Sequence, residues 1–453
     1  MNDPAATGAS PGVQRPSNVR YAVLFGLCLA AGLAYVHRGC YGVAEKTIRA
    51  DLKITEQQTA LAASIFFWTY ACFQIPTGLL VDRWGARKSL CLFGMLGALT
   101  VAIGAGTLIC SATIGFLVLF TSRSLMGIAQ AGLFPASTRC IATWFPVRRR
   151  AFAAGALQAC MSMGGGVGAY ITGKILTEIS WPWVFIIYAV PGVVWSLWFF
   201  SWYRDRPADH PSVNEAENEL ISSAELPKTA EPRQRAPWLQ MTTHPKLLWL
   251  CASQYFRAGA NGFWLYGCTT YLRDVYKLPQ DEAGTLTALP FIGVVLGSLF
   301  GGWLSDLVLV RTGSKRWSRN GVSIITTAIG IVFFVLAWYI QKGPHVAITL
   351  LFFASLLTSP GNSSPYSVSM DIGGKFVAVV FGAMNMFGNF GSATFPLILS
   401  PWTKQFGPAT APLLMGLIYF AGIVCWLFID PNGTICDARP NKETNNSNFA
   451  GSN

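Results

Sequence analysis

The sequence predicts an all-α membrane protein whose twelve transmembrane helices form two pseudo-symmetric halves of six helices each. Of the 453 residues, 52% are hydrophobic and only 12% are charged, and a soluble protein of this size could not bury so much apolar surface in one core. Apolar segments of about 20 residues, the length that a bilayer requires, follow one another along the chain. One short motif also occurs twice, half a chain apart, which indicates a duplicated bundle.

Each half is predicted to contain six spans, set by runs of apolar residues between polar loops. The first half has spans at 21–44, 59–81, 89–109, 113–137, 151–174 and 182–203. The second half has spans at 247–271, 284–306, 321–341, 346–369, 376–400 and 411–429. Because the stretch 204–246 is polar and contains several prolines, we expect it to link the two halves.

These boundaries divide the chain into five parts. We expect an N-terminal tail at 1–20, a first six-helix half at 21–203, the linker at 204–246, a second six-helix half at 247–430 and a C-terminal tail at 431–453. The C-terminal tail is rich in Asn and Ser and is expected to be disordered. Lys and Arg concentrate in the loops that lie inside if both termini are cytoplasmic, so the positive-inside rule predicts that orientation.

The composition also indicates where the protein resides and what it contacts. We expect a monomeric, multi-pass protein of the cell inner (plasma) membrane, surrounded by lipid. The formal net charge of +12 requires no nucleic-acid partner, because cations in short inner loops face anionic lipid headgroups. Arg148, Arg149 and Arg150 form the densest basic cluster, which we interpret as a determinant of topology.

The sequence shows no pattern typical of a catalytic or metal centre. Its 11 cysteines are scattered, mostly in apolar segments, without a CxxC pair or His partners at metal spacing, and we interpret them as packing residues. No Ser-His-Asp or paired-carboxylate arrangement is placed for catalysis. We therefore expect neither enzymatic activity nor a metal ion or cofactor.

The repeated motif places a Gly and an Asp about one helical turn apart at the end of an apolar span, with basic residues after them. Its first copy consists of Gly78, Asp82, Arg83 and Arg87, and its second copy of Gly302, Asp306 and Arg311. The Gly permits close contact between helices, and the Asp lies at the membrane edge beside cations. We expect both copies to form a gate at the cytoplasmic side.

Three arginines lie within predicted spans: Arg38 late in the first, Arg123 in the middle of the fourth and Arg257 in the middle of the seventh. An Arg at the bilayer centre costs about 2.5–3.5 kcal/mol on insertion scales, and partners or water must offset that cost. Few carboxylates occur at a similar depth. We therefore expect Arg38 and Arg123 to bind an anion, whereas anion binding and structural pairing are equally open for Arg257.

The sequence around these arginines resembles a known transporter family. The resemblance is carried by the segments YVHRGCYGVA (35–44), SIFFWTYACFQIPTG (64–78), RSLMGIAQAGLFP (123–135), ATWFP (142–146) and GAMNMFG (382–388). They are similar to the anion:cation symporters of the major facilitator superfamily, which include bacterial hexonate and hexuronate permeases and the sialic-acid and vesicular glutamate carriers. The repeated motif resembles that superfamily's loops between helices 2 and 3 and between helices 8 and 9.

The resemblance implies a secondary active or facilitative transporter that works by alternating access. Its substrate would be a small organic anion, in particular a sugar acid such as a hexonate or hexuronate. Carried over to this chain, the resemblance implies that Arg38 and Tyr70 bind the substrate carboxylate and that Arg123 belongs to the same cavity.

From the eleventh helix, the resemblance implies that Asn385 contacts substrate hydroxyls. Asn385, Asn389 and Ser392 lie at positions i, i+4 and i+7 and therefore form one polar stripe on an otherwise apolar helix. Gln158 in the fifth span and Tyr366 in the tenth are further candidates for the substrate site.

Two positions depart from the family pattern at the residues that would couple transport to protons. Proton-coupled members have an Asp before the first-helix Arg and a Glu seven residues after the fourth-helix Arg, where this chain has His37 and Gln130. Gln130 cannot titrate, whereas His37 could exchange a proton near neutral pH. The mode of transport therefore stays open: it could be proton coupling through His37, coupling to another ion, uniport or exchange. His37 could also have a neutral structural role.

Two other functions also stay open at this point. Organophosphate and phosphate antiporters pair a first-helix Arg with a seventh-helix Arg, and Arg257 makes that assignment relevant, although the alignment places Asn261 at the expected position. A non-transporting nutrient sensor of the same fold could bind an anion and signal through its linker.

Overall fold

The computed structural model describes residues 15–109, 112–222 and 243–435, and the regular structure in these ranges is entirely helical. The first part of the chain forms α1 (Val19–Leu52), α2 (Glu56–Trp84), α3 (Ala86–Ala105), α4 (Ala112–Trp144), α5 (Arg150–Ile175), α6 (Trp181–Trp202) and the short α7 (Glu215–Ser222). The second part forms α8 (Pro245–Gly262), α9 (Cys268–Tyr276), α10 (Gln280–Thr312), α11 (Val322–Ile340), α12 (Pro344–Thr358), α13 (Ser363–Gly373), α14 (Val377–Phe406) and α15 (Ala411–Phe428). Each predicted span overlaps one long helix or one interrupted helix.

Within the described residues, nine helical stretches are long and apolar enough to cross a membrane. One of them, Pro344–Phe406, is 63 residues long and contains α12, α13 and α14, which is enough chain for two spans. α5 and the α8–α9 pair are outside this set; α5 is rich in Gly, and α8 carries an Arg in its interior. With these helices included, the fold accommodates the twelve predicted spans.

Two of the spans are interrupted midway. A π-helical turn at Phe263–Gly267 joins α8 to α9, and a 3-10 turn at Ser359–Asn362, which contains Pro360, joins α12 to α13. A proline lacks the backbone N–H that a regular helical hydrogen bond requires. π-Helical turns are frequent at functional sites. Asn362, the last residue of the 3-10 turn, accepts a hydrogen bond from Arg257, which lies in α8 ahead of the π-helical turn.

The two halves repeat one packing arrangement. In the first half, α1 packs on α5, α2 on α4, and α3 on α6. In the second half, α8 packs on α14, α10 on α12, and α11 on α15. Because these pairs correspond in chain order, with α12 and α13 together forming one span, the predicted pseudo-symmetry is confirmed.

The halves meet through two equivalent contacts, α2 against α14 and α5 against α10. A Cβ atom added at Gly78 would lie 2.7 Å from the carbonyl oxygen of Ala378, and one added at Gly302 would lie 2.5 Å from that of Ala151. Real Cβ atoms essentially never come within 3.0 Å of another heavy atom. A larger residue at either glycine would therefore push the halves apart.

Part of the linker packs against the beginning of α1. Glu217 on α7 is fully buried and accepts hydrogen bonds from the backbone N–H groups of Val19 (2.9 Å) and Arg20 (3.1 Å). Burial raises the pKa of Glu217, but hydrogen bonds from Ser17, Arg20 and Val19 oppose this effect, and the net pKa lies below its usual value. The ionised carboxylate thus caps the positive end of the α1 dipole.

The C-terminal tail begins with an ordered segment. We expected disorder from residue 431 onward, yet residues 431–435 pack against the bundle, because the N–H of Ile435 donates to the carbonyl oxygen of Ile372 at 2.9 Å. The rest of this tail (436–453), the N-terminal residues 1–14 and the linker residues 223–242 lie outside the described part of the chain.

Candidate anion site and gate

Arg38 lies on α1, where its guanidinium faces α4. Its Nε and Nη2 atoms donate to the side-chain oxygen of Gln130, at 3.2 and 3.0 Å, and the Gln130 amide nitrogen donates to the carbonyl oxygen of Ala34 at 2.9 Å. Within the described ranges, Arg38 forms no ion pair with a carboxylate. Gln130 therefore orients the guanidinium but leaves its positive charge uncompensated.

Aromatic rings surround the Arg38 guanidinium. Its central carbon lies 4.7 Å from the ring centroid of Tyr35, 4.8 Å from that of Phe66 and 5.0 Å from that of Tyr70. Cation–π attraction holds the guanidinium in place without neutralising it. Because Arg38 is only partly buried, its remaining surface can meet an anion through a bidentate contact.

Arg123 on α4 belongs to the same aromatic cluster. Its guanidinium carbon lies 4.6 Å from the ring centroid of Tyr41 and 4.8 Å from that of Phe66, which therefore contacts two arginines. Arg123 is 4% exposed, and its Nε atom has no hydrogen-bond partner among the residues that the structure describes. This arginine is thus more deeply enclosed than Arg38.

Tyr70 and Asn385 connect the two halves. The Asn385 amide nitrogen on α14 donates to the Tyr70 hydroxyl on α2 at 2.8 Å. Along α14, the Asn389 amide nitrogen donates to the carbonyl oxygen of Asn385 at 2.7 Å, and the Ser392 hydroxyl donates to that of Ala258 on α8 at 3.1 Å. The polar stripe expected on this helix is therefore present and faces other helices of the bundle.

Arg257 on α8 has only neutral partners. Its Nε atom donates to the side-chain oxygen of Gln254 at 2.9 Å, and its Nη1 atom donates to the side-chain oxygen of Asn362. No ion pair of Arg257 occurs in the described part of the chain. The sequence allowed either anion binding or a structural ion pair for Arg257, and no such ion pair is found among the described residues.

The other expected site residues take separate positions. His37 is buried against α6, where its Nε2 atom donates to the carbonyl oxygen of Tyr188 at 2.8 Å. Tyr366 is buried on α13 and packs edge-on against Phe381, with ring centroids 4.8 Å apart. Gln158 on α5 is partly buried and makes no side-chain hydrogen bond within the described residues. Hydrogen bonds and ring contacts thus connect Arg38, Gln130, Tyr70 and Asn385, and among the described residues none of these contacts involves Gln158.

The motif aspartates lie at one end of the bundle, here called the gate end, where each contacts the first turn of a helix from the other half. Asp82 of α2 accepts from the backbone N–H of Val379, at the start of α14, at 3.1 Å. Asp306 of α10 accepts from the backbone N–H of Phe152, at the start of α5, at 2.7 Å. Helix N-termini favour negative charge, so these equivalent contacts hold the two halves together at the gate end.

Each motif aspartate also has an arginine partner that the sequence did not reveal. Arg139 pairs with Asp82 at 2.6 Å, and Arg319 pairs with Asp306 at 3.2 Å. Both arginines lie just outside the predicted spans, at 113–137 and 321–341, where the hydropathy pattern predicts loops. Helix ends assigned a few residues further out would have placed Arg139 inside α4 and Arg319 in the π-helical turn before α11.

Asp371 adds a third carboxylate to the gate end. Its side chain is fully enclosed and lies 3.3 Å from Arg319, 3.7 Å from Lys315 and 3.8 Å from Arg150. Arg150 begins α5 in the first half, so its contact with Asp371 crosses between the halves. The basic cluster that we interpreted as a topology determinant thus also takes part in closing this end.

The basic residues of the motif itself lie outside these ion pairs. Arg83 and Arg311 are exposed at the ends of α2 and α10. Arg87 donates from Nε to the carbonyl oxygen of Phe200 at 2.8 Å, and its guanidinium carbon lies 4.6 Å from the Phe200 ring centroid. In the described residues, the ion pairs of Asp82 and Asp306 therefore come from outside the motif.

The chain is similar to a known protein family and to several transporters. The sequence profile of the Major Facilitator Superfamily matches residues 27–396 and, a second time, residues 262–449. A probable sulfoacetate transporter of Cupriavidus necator is 28% identical, covering 92% of this chain and 95% of the relative. A D-galactonate transporter of Escherichia coli is 26% identical (92% and 96%), and a probable galactarate/D-glucarate transporter of Bacillus subtilis is 25% identical (92% of each).

Two solved structures share the fold. The proton:xylose symporter XylE, bound to 6-bromo-6-deoxy-D-glucose, superimposes with a TM-score of 0.67 at 15% identity, covering 91% of this chain and 96% of that one. The fucose:proton symporter FucP of E. coli superimposes with a TM-score of 0.62 at 14% identity, covering 92% and 100%. At these identities the similarity concerns the fold alone.

Proposed function

The chain belongs to the major facilitator superfamily, and from this premise we propose that it carries a small organic anion across a membrane by alternating access between its two halves. Its relatives are named as transporters, in agreement with the expectation that the chain is not an enzyme. No observation on the described residues favours organophosphate exchange or nutrient sensing.

The observation that carries the proposal is the uncompensated charge of Arg38. A cation at this depth in a membrane is costly and usually marks a substrate pathway. Arg38 lies against Tyr70, and Tyr70 is hydrogen-bonded to Asn385 of the other half. An anion bound by Arg38 would therefore also contact the junction of the halves, and its binding energy could shift the balance between their arrangements.

We propose a sugar acid as the substrate. The amide groups of Asn385 and Asn389 and the hydroxyls of Tyr70 and Ser392 offer donors and acceptors that suit a hydroxylated carbon chain. Two of the relatives are named as transporters of galactonate and of galactarate or glucarate, which are sugar acids.

We also propose an orientation for this multi-pass membrane protein. In this orientation the protein lies in the inner (plasma) membrane and both termini are in the cytoplasm. Most Lys and Arg residues are then on the cytoplasmic side, as the positive-inside rule requires. The bacterial origin of two relatives is consistent with that membrane. The gate end, with Asp82 and Asp306, then faces the cytoplasm. Under this proposed orientation, the contacts of Asp82 and Asp306 with the opposite half close the bundle on the cytoplasmic side.

The function is tested on the purified full-length protein with D-galactonate, galactarate, D-glucarate, sulfoacetate and inorganic phosphate. A ligand present at 100 times its Kd should stabilise the folded protein by about 2.7 kcal/mol and raise its melting temperature. Reconstituted vesicles should then take up the ligand that stabilises the protein. Binding without uptake would indicate a sensor, and binding of phosphate alone would contradict an organic-anion carrier.

Asp82→Asn is expected to shift the protein toward states that are open at the gate end, because the variant loses the Arg139 ion pair and weakens the cap of α14. Loss of a helix cap costs about 1 kcal/mol, which corresponds to a roughly fivefold change in population. The readout is the labelling rate of Ser298→Cys, a position buried between α5 and α10, with a membrane-impermeant maleimide.

Lys88→Gln, an exposed substitution at the start of α3, is the matched control for Asp82→Asn. Both variants are compared in a background whose accessible native cysteines are replaced by serine. Unchanged labelling with normal transport in Asp82→Asn would leave Asp82 as a determinant of topology only.

A further inference from the structure

A small cavity lies within the first half, where α1, α3, α4 and α6 come together. Its volume is about 20 Å³, and roughly 10–15 Å³ is enough to hold one water molecule. His37 of α1 and Gln130 of α4 contribute polar groups to its walls. The walls also contain three glycines, which leave the space that larger side chains would fill: Gly94, Gly97 and Gly192.

The surroundings of Gly97 give independent evidence for this space. Gly97 is buried on α3, yet a Cβ atom added to it would meet no neighbouring heavy atom within 4 Å. Protein interiors are close-packed, so a buried residue rarely has such room beside it. At Gly192, in contrast, an added Cβ atom would lie 3.0 Å from Cε1 of His37. Gly97 therefore borders the cavity, and Gly192 allows the His37 ring to approach α6.

His37 has an unused hydrogen-bond acceptor at this cavity. Its Nε2 atom donates to the carbonyl oxygen of Tyr188 at 2.8 Å, so the neutral ring carries its lone pair on Nδ1. The side chain is 4% exposed, and Nδ1 accepts no hydrogen bond from the described part of the chain. Buried polar atoms are paired with protein groups or with ordered water in the large majority of cases.

Gln130 offers a hydrogen-bond donor to the same cavity. Its amide nitrogen donates one hydrogen to the carbonyl oxygen of Ala34 at 2.9 Å, and its oxygen accepts both hydrogen bonds of Arg38. The second hydrogen of that nitrogen has no acceptor among the described residues. Because no carboxylate belongs to the described lining of the cavity, a neutral molecule suits it better than a cation.

We propose that this cavity binds one ordered water molecule, which donates to Nδ1 of His37 and accepts from the second N–H of Gln130. The water joins His37 to Gln130 and, through Gln130, to the Arg38 guanidinium. It also fixes the orientation of the Gln130 amide, because Ala34 and the water engage the nitrogen and leave the oxygen for Arg38. The site lies within one half and does not depend on the proposed carrier function.

Filling the cavity distinguishes a water-filled space from an empty one. Gly97→Ala places a methyl group in the cavity, displaces the water and leaves Nδ1 of His37 unpaired. We expect the apparent melting temperature of the purified full-length protein to fall by about 1–3 °C. In an empty cavity the same substitution would raise the melting temperature, because Ala favours a helix over Gly and the methyl group would be buried.

Gly97→Ser separates the loss of the water from a poor fit. Its hydroxyl can replace the water as a donor to His37, so this variant should melt about 1–2 °C above Gly97→Ala although Ala is the better helix former. A methyl group that merely clashed would make Gly97→Ser no better than Gly97→Ala. Gly166→Ala is the matched control, since Gly166 is exposed on α5 and an added Cβ atom there also meets nothing within 4 Å.

Nuclear magnetic resonance of the protein in bilayers observes the His37 ring directly. The chain contains four histidines, and comparison of ¹⁵N-histidine-labelled protein with His37→Gln identifies the signals of His37. An Nδ1 atom that accepts a hydrogen bond resonates upfield of one that does not, and a bound water transfers magnetisation to it. Both features should be present in the unmodified protein and lost in Gly97→Ala.

Two results would each overturn the water site. One is a Gly97→Ala variant that is at least as stable as Gly97→Ser, and the other is a His37 Nδ1 signal in the unmodified protein that receives no magnetisation from water. Either result leaves the carrier function intact, because these measurements involve no substrate.

Discussion

Arg38→Ala is expected to abolish substrate binding and transport while the protein still folds and inserts. Arg38 offers two or more charge-assisted hydrogen bonds to an anion, each worth about 1.5–3 kcal/mol, so its removal should weaken binding by about 100-fold or more. Folding should survive because the variant removes a cation without a carboxylate partner in the described residues and leaves Gln130 held by Ala34. Calorimetric titration and vesicle uptake measure the two effects.

Two further variants test whether the loss of binding is specific to the guanidinium group of Arg38. Arg38→Lys keeps the charge but loses the planar, bidentate contact and should restore binding poorly. Lys53→Gln removes a positive charge from the exposed end of the same helix and should behave like the unmodified protein. Retained affinity in a well-folded Arg38→Ala variant would show that Arg38 is not the anion-binding residue.

An imposed pH gradient is expected not to drive accumulation of substrate in the unmodified protein. Gln130 accepts both hydrogen bonds of Arg38 with an amide oxygen, which cannot take up and release a proton. His37, the neighbouring titratable group, is 4% exposed and donates to the Tyr188 carbonyl oxygen, on the side of α1 that faces α6. Exchange of labelled substrate at equal pH should proceed, because it needs only the anion site.

His37→Gln separates the possible modes of coupling. If the unmodified protein accumulates substrate in response to a pH gradient and His37→Gln does not, while exchange at equal pH survives, then His37 is the proton carrier and our expectation is wrong. Gradient-driven accumulation that persists in His37→Gln would exclude both His37 and an uncoupled carrier, and would require another titratable group.

The helices and the family could be predicted from the sequence because their signals are local. Apolar runs of bilayer length determine the spans, and the two copies of the Gly and Asp motif indicate the duplicated bundle. Helix ends were less accurate, since hydropathy falls at the first charged residue although the helix continues. α4 extends past the predicted end at 137 to Trp144, and this extension carries the Arg139 that pairs with Asp82.

Only the tertiary structure decided which side chains meet. Asn385 and Tyr70 are 315 positions apart in the chain, and their hydrogen bond depends on how α14 and α2 are rotated about their axes. Hydropathy leaves that rotation undetermined, because a helix in a membrane is apolar on its lipid face as well as on its packed face. The sequence alone thus determined the fold class, the duplicated motif and the presence of three embedded arginines. Helix packing within each half decided which partners Arg38 and Arg257 contact. Close packing of the two halves through Gly78 and Gly302 decided which helix N-termini the gate aspartates cap.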